Sequence, residues 1–227
     1  MKLGGAPFPG TQTKGSSDDL YTWTTPNGRK VSILLEELGV DYIAHAIDIT
    51  ADAQFAPNFL AISPNNKIPA IKDHDNGLTL MESGAIMWYL ADKYEKFLPS
   101  DAIWRTKVHE WLMWQMGGLG PMAGQAHHFS QFNPGKAPYA EARYATEVQR
   151  LYGVLDKQLE GQDYICGDYS IADMACWPWI ARYEWQRVDL TQFSNVLRWY
   201  KALRSRDAVV KGYQVPKDVG EVPRGEP

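Results

Sequence analysis

Cysteine is scarce: the 227 residues contain two, Cys166 and Cys176. Their spacing fits neither a C-x-x-C redox pair nor a zinc site. Free buried thiols in a reducing compartment are the expectation, and a cytoplasmic location fits. Long hydrophobic runs are missing too. No stretch approaches the roughly 18 apolar residues of a transmembrane helix, so no membrane partner is expected. The opening residues, 1–18, are rich in Gly, Pro, Ser and Thr, lack the apolar run of a signal peptide and read as a flexible arm. An excess of basic charge is also absent. The net charge is −4 with the two signs mixed along the chain, which argues against a nucleic-acid partner. A metal motif is lacking: His109-Glu110 is followed by Met113 where a zinc motif needs its second histidine. His127 and His128 are adjacent and cannot both face one metal from a regular helix. No internal repeat is visible.

What the chain does contain is enough apolar residue, 44 % with 12 % aromatic, for one or two compact cores. A short strand at 19–23 leads through Thr-Thr-Pro-Asn-Gly into a helix. Val31, Leu34, Leu35 and Leu38 form its apolar face and Gly39 stops it. Tyr42 to Ile49 follows as a strand, with His45 on one face as a packed or edge residue. Strand, helix and strand in about 30 residues is a βαβ unit with parallel strands. A short helix lies within 54–62. Ala70–Lys72 and Leu78–Met81 form a hairpin over an Asn-Gly turn. A third helix starts at Ser83.

Beyond a linker at Phe97–Asp101 only helical patterns occur. Gly117-Gly118-Leu119-Gly120-Pro121 must bend or break the first of these helices. A long amphipathic helix spans Tyr144 to Leu159. Ser170-Ile171-Ala172-Asp173 reads as a capping box opening the next, in which Pro178 should place a kink. The expected organisation is an arm (1–18), an α/β domain (19–98), an all-helical domain (103–212) and a tail (213–227).

Three segments carry possible chemistry. Thr25 is a good N-cap and Pro26 suits the first helical position. The first-turn amides near Asn27 and the positive dipole end can hold an anion or stabilise a thiolate. No cysteine stands there, so such a thiol would belong to a ligand. Asn66-Lys67-Ile68-Pro69-Ala70-Ile71 opens a strand at a proline compatible with a cis bond, where the Ile68 backbone could pair with an extended peptide. Glu82-Ser83-Gly84-Ala85-Ile86 starts a helix suited to a carboxylate, with an acid beside it suited to an ammonium. Read singly, a plain cap, a strand-initiating proline and a cap beside a surface acid explain these segments as well. Tyr21 reads as a structural strand aromatic.

Together and in this order, these motifs resemble the cytosolic glutathione transferases over residues 19–212. More narrowly they resemble the Nu class, related to bacterial disulfide-bond oxidoreductases and the fungal nitrogen regulator. Gly117-Gly118-Leu119-Gly120-Pro121-Met122 and Cys176-Trp177-Pro178-Trp179 add to the match. The resemblance implies an α/β thioredoxin-like N-terminal domain followed by an all-α C-terminal domain. It implies glutathione, reduced or oxidised, as cosubstrate, no metal, and a homodimer. Glu82 and Ser83 would hold the γ-glutamyl head, the Ile68 backbone the cysteinyl unit, and Thr25 and Asn27 the sulfur. Gln54 would be a further contact, Lys67 would approach the glycyl carboxylate, and Arg143 would reach a second glutathione. The implied activity is disulfide reduction, with a small-molecule disulfide or electrophile as partner. A glutathione lyase that cleaves aromatic ethers and a non-catalytic glutathione-binding regulator are the alternatives.

Overall fold

A computed structural model describes residues 10–11 and 18–225. Most of the expected arm, residues 1–9 and 12–17, lies outside the described residues. Contact density divides the chain into one unit of residues 1–94 and 207–221, and a second of residues 95–206 and 222–227.

The first unit is an α/β thioredoxin-like layer. Five strands, β1 (Gly10–Thr11), β2 (Asp18–Thr22), β3 (Tyr42–Ala46), β4 (Ala70–Asp73) and β5 (Thr79–Met81), lie in the order β1-β3-β2-β4-β5. β2 and β3 are parallel, as a βαβ unit requires, and the other neighbours are antiparallel. The Gly10–Thr11 strand, pairing with Ala44 and His45, falls inside the stretch read from sequence as an arm. Helix α1 (Pro26–Leu38) starts on the Thr25 cap and stops at Gly39, whose φ of 70° is the left-handed conformation glycine adopts freely. A short α2 (Pro57–Leu60) and α3 (Ser83–Lys93) complete the layer. The chain end returns to it. In α9 (Asp207–Tyr213) the backbone carbonyl of Tyr213 accepts from Arg29 Nε at 3.0 Å, and that of Gly212 accepts from Ser32 Oγ at 2.7 Å. Residues 207–221 thus belong with the α/β unit, whereas the sequence pattern puts them in the helical domain and tail.

The second unit is helical: α4 (Ala102–Trp114), α5 (Gly120–Ala126), α6 (Pro138–Gln158), α7 (Ile171–Ile180) and α8 (Ser194–Arg204). The glycine-proline segment does not break its helix. Gln115–Leu119 forms a π-helical turn in which Gly120 N–H reaches back to Gln115 O, so the missing N–H of Pro121 is absorbed and the helix continues into α5. The capping box forms. Ser170 Oγ accepts from Ala172 N–H at 3.3 Å, and Asp173 Oδ2 accepts from Ser170 N–H at 3.1 Å. Pro178 stands inside α7. Tyr200 and Arg204 donate to Pro223 O and Val222 O and tie down part of the expected tail. Cys166 and Cys176 are buried and not disulfide-bonded, and burial pushes the Cys166 thiol up to about 12.

Candidate functional site

The sheet register gathers the three sequence segments. Tyr21 pairs with Ala70 and Ala70 with Met81, so these residues form one row across β2, β4 and β5. From this row the chain leaves β2 toward Thr25, enters β4 from Ile68 and Pro69, and leaves β5 into Glu82 and Ser83. Tyr21 also pairs with His45 on parallel β3, so the segment reaching Gln54 departs from the same end. Beneath these segments Tyr21, Ile47, Phe59 and Ala70 form a core on which Ala53, Ile62 and Ile68 pack. Tyr21 is part of this floor: it is buried and stacks on His45 with ring centroids 4.7 Å apart. Burial, then Asp19, pushes its hydroxyl up to about 12. That is a structural tyrosine, as its strand position suggests.

Where the chain leaves β2 for α1, Thr25 Oγ1 accepts from Gly28 N–H at 3.2 Å, and Thr25 O from Arg29 N–H at 3.0 Å. The cap therefore uses the third amide of the turn. Pro26 has none to give, and Asn27 carries the second. Gly28 is obligatory here, because a Cβ would lie 2.3 Å from Trp23 O and 2.4 Å from Thr22 Oγ1. In the sequence this glycine is simply the last residue of the Thr-Thr-Pro-Asn-Gly entry to the helix. The close approach that requires it becomes visible only once β2 and α1 are packed.

Ile68–Pro69 is a cis peptide bond and Ile68 is half-buried at the entrance to β4. Ser63 Oγ donates to Lys67 O at 2.8 Å and fixes the loop before it. Lys67 is exposed. Gln54 Oε1 is buried without a hydrogen-bond partner among the described residues. A buried amide oxygen of this kind is costly unless an N–H reaches it, and a peptide ligand supplies one. Glu82 is exposed with φ 72°, and its side chain makes no capping hydrogen bond to the α3 amides that follow. Ser83, the first residue of α3, is 3 % exposed and its Oγ accepts from Lys30 Nζ at 3.2 Å. The residues present thus fit an extended γ-glutamyl peptide: an acid for its ammonium, helix-end donors for its carboxylate, and acceptors along its backbone.

Arg143 lies on α6 in the second unit, where it is exposed and lines an open cavity of about 550 Å³ with Met122, Tyr139, Tyr144 and Glu147. His127 in the same unit is buried and stacks on Trp179 with centroids 5.5 Å apart. Burial lowers it to about 4, so it is neutral at physiological pH. Sequence reading missed the ionic network at the opposite end of β2. There Asp19 accepts from His45 Nε2 at 2.9 Å and His74 Nε2 at 2.8 Å, and Lys93 Nζ lies 2.7 Å from Asp73. Burial raises the Asp19 carboxyl, but the two histidine bonds outweigh it and the net shift is downward.

Comparison with known proteins agrees with this geometry. The glutathione S-transferase N-terminal domain matches residues 24–93 and the glutathione S-transferase C-terminal domain residues 119–207. The chain is 50 % identical over 196 residues to the disulfide-bond oxidoreductase YfcG of Escherichia coli, covering 84 % of this chain and 91 % of that one. It is similar to a Burkholderia graminis glutathione transferase whose crystal structure holds two glutathione molecules per subunit. The TM-score is 0.83 and the identity 43 %, over 89 % of each chain. A Pseudomonas putida glutathione transferase with one glutathione disulfide per subunit gives a TM-score of 0.83 and 42 % identity, over 90 % of this chain and 94 % of that one. This chain belongs to the glutathione S-transferase family.

Proposed function

We propose that the protein is a glutathione-dependent disulfide oxidoreductase of the Nu class, acting as a homodimer in the cytoplasm on a small disulfide. The carrying observation is the Thr25-capped end of α1, at the same end of the sheet as Ile68 and Ser83, in a unit whose sequence contains no cysteine. A helix end of this kind lowers a thiol's pKa, and the thiol must come with the ligand. The high identity to a named disulfide-bond oxidoreductase, and a structural relative that binds glutathione disulfide, support this reading over lyase or purely regulatory ones.

In this account Glu82 and Ser83 hold the γ-glutamyl head, the Ile68 backbone and Gln54 hold the middle of the peptide, and Lys67 meets the glycyl carboxylate. Thr25 Oγ1, which takes its hydrogen bond from Gly28, still has its own proton to donate to the sulfur. The Asn27 amide adds a second donor. Arg143 contacts a second glutathione. One bound thiolate attacks a sulfur of the substrate disulfide; the S–S bond breaks and the leaving thiolate takes a proton. A second glutathione thiolate then attacks the mixed disulfide and releases a second thiol and oxidised glutathione. Two glutathiones are oxidised for each disulfide reduced. The protein contributes position and a polarised helix end. Purified protein with glutathione should reduce 2-hydroxyethyl disulfide and be poor at conjugating an aromatic chloride. Strong conjugation without disulfide exchange would overturn the proposal.

A further inference from the structure

The segment after α9 brings a cation to the turn between β2 and α1. Helix α9 is anchored on α1 through Tyr213 O and Gly212 O, which accept from Arg29 Nε and Ser32 Oγ. The residues that follow close into a loop around Gln214. Its Nε2 donates to Gly220 O at 2.7 Å, and its Oε1 accepts from Val219 N–H at 2.8 Å. Asp218 Oδ1 accepts from Gly220 N–H at 2.8 Å. From this loop the exposed Lys217 sets its Nζ 4.1 Å from the centroid of the Trp23 ring, where the negative face of the indole attracts it.

Trp23 belongs to the turn that presents Thr25. Thr25 N–H donates to Trp23 O at 2.7 Å, and that same carbonyl leaves no room for a Cβ at residue 28. The indole therefore ties the Lys217 ammonium to the backbone that carries the Thr25 hydroxyl. The charge is felt beyond that turn. At the exit of β3 the Asp48 carboxyl is held below the usual carboxylate range by its Thr50 hydrogen bonds and further by Lys217.

In the proposed reaction the attacking sulfur lies at Thr25 and Asn27. Attack brings the substrate disulfide into contact with that sulfur, so the substituents of the disulfide react within the field of Lys217. A neutral disulfide adds no charge, because the single negative charge of the thiolate is only redistributed over the sulfurs. A carboxylate on the substituent is drawn toward Lys217, and an ammonium is repelled. We propose that Lys217 is a specificity-determining residue that biases disulfide reduction toward disulfides with anionic substituents. This inference rests on the reading of the site as a glutathione site and adds to it the charge class of the second substrate. A lysine that merely covered the Trp23 face would treat all three kinds of disulfide alike.

The test uses three disulfides with one carbon–sulfur skeleton: dithiodipropionate (anionic), 2-hydroxyethyl disulfide (neutral) and cystamine (cationic). The readout is kcat/KM for each charged disulfide divided by that for the neutral one, which cancels any change in glutathione binding or ionisation. At a separation on the order of 10 Å, a unit charge near a protein surface changes such a ratio about threefold. Lys217→Gln should therefore lower the dithiodipropionate ratio about threefold and raise the cystamine ratio by a similar factor. Lys217→Glu should move both about tenfold, and Lys217→Arg should keep both near wild type. The differences should shrink as ionic strength rises from roughly 0.02 to 0.5 M.

Ratios that stay constant in Lys217→Gln and Lys217→Glu overturn the inference, whether the absolute rates fall together or do not change, while disulfide reduction by wild type stands. A shift of both ratios in the same direction overturns it as well. Wild type inactive toward all three disulfides would instead overturn the oxidoreductase reading on which the inference depends.

Discussion

Removing the backbone N–H of residue 27 is expected to reduce disulfide reduction on the order of a hundredfold, whereas Asn27→Ala keeps most of it. The reason is positional. In the first turn of α1, Pro26 has no N–H and Thr25 Oγ1 takes that of Gly28, so the donor in the second position is the amide of Asn27. If that amide stabilises the glutathione thiolate, the side chain of residue 27 is incidental. Asn27→Pro is the simple variant. It carries a second effect, because a residue before proline is pushed out of the helical region and Pro26 is that residue. Replacing the residue 27 amide by an ester, through an α-hydroxy acid, removes the proton alone. The measurements are turnover with 2-hydroxyethyl disulfide and the pKa of bound glutathione, followed by thiolate absorbance. Ester and proline variants should both raise that pKa. Full activity in the ester variant would end the helix-end account.

Asp173→Ala is expected to lose roughly 3–5 kcal/mol of stability, the largest single loss in the helical unit. Asp173 is fully buried. Its Oδ1 accepts from Ile165 N–H at 3.0 Å and Trp199 Nε1–H at 2.9 Å, and its Oδ2 from Ser170 N–H at 3.1 Å. Alanine leaves all three donors buried without an acceptor. The carboxylate therefore ties α7 to the loop before it and to α8, beyond closing its own capping box. Chemical denaturation at pH 7 should show the loss as a lower midpoint with an unchanged slope. The pH dependence has a definite sign. Burial pushes Asp173 up to about 6 against the four hydrogen bonds that lower it, the Ser170 hydroxyl among them. A carboxyl raised on folding contributes stability that is fully present below about pH 4 and declines as pH rises through about 6. The gap between wild type and Asp173→Ala should narrow over that range. A gap that widens with pH would show that the hydrogen bonds outweigh burial.

The parts of this fold that were legible in sequence are those decided by neighbours along the chain. Thr25 and Gly39 bracket α1 because capping and left-handed stops are local events, and the Ser170–Asp173 box forms for the same reason. The row Tyr21–Ala70–Met81 was partly legible, since the βαβ unit and the hairpin fix which ends of the strands meet. Features decided by long-range packing were not. The hydrogen bond from the buried Lys30 ammonium to Ser83 Oγ joins α1 to α3, residues 53 positions apart, and no local pattern announces it. Nothing local says that Gly212 must approach Ile33, where a Cβ would lie 2.6 Å from its Cα, so α9 was grouped with the helices preceding it. Of the bend or break expected at Gly117–Pro121 the break is absent, because a π-helical turn accommodates the segment and the helix runs on into α5.

The central claim is that the reactive sulfur belongs to bound glutathione and that the protein supplies none. The direct measurement is steady-state disulfide reduction by a Cys166→Ala/Cys176→Ala variant, with intact-protein mass recorded during turnover. Both thiols are buried in the helical unit and both lie in the sequence far from Thr25. The account predicts kcat/KM within about twofold of wild type, since in it neither protein thiol takes part in the transition state. It also predicts no mass shift corresponding to a protein–glutathione disulfide. A folded variant without activity, or wild-type protein carrying a covalent glutathione during turnover, would contradict it.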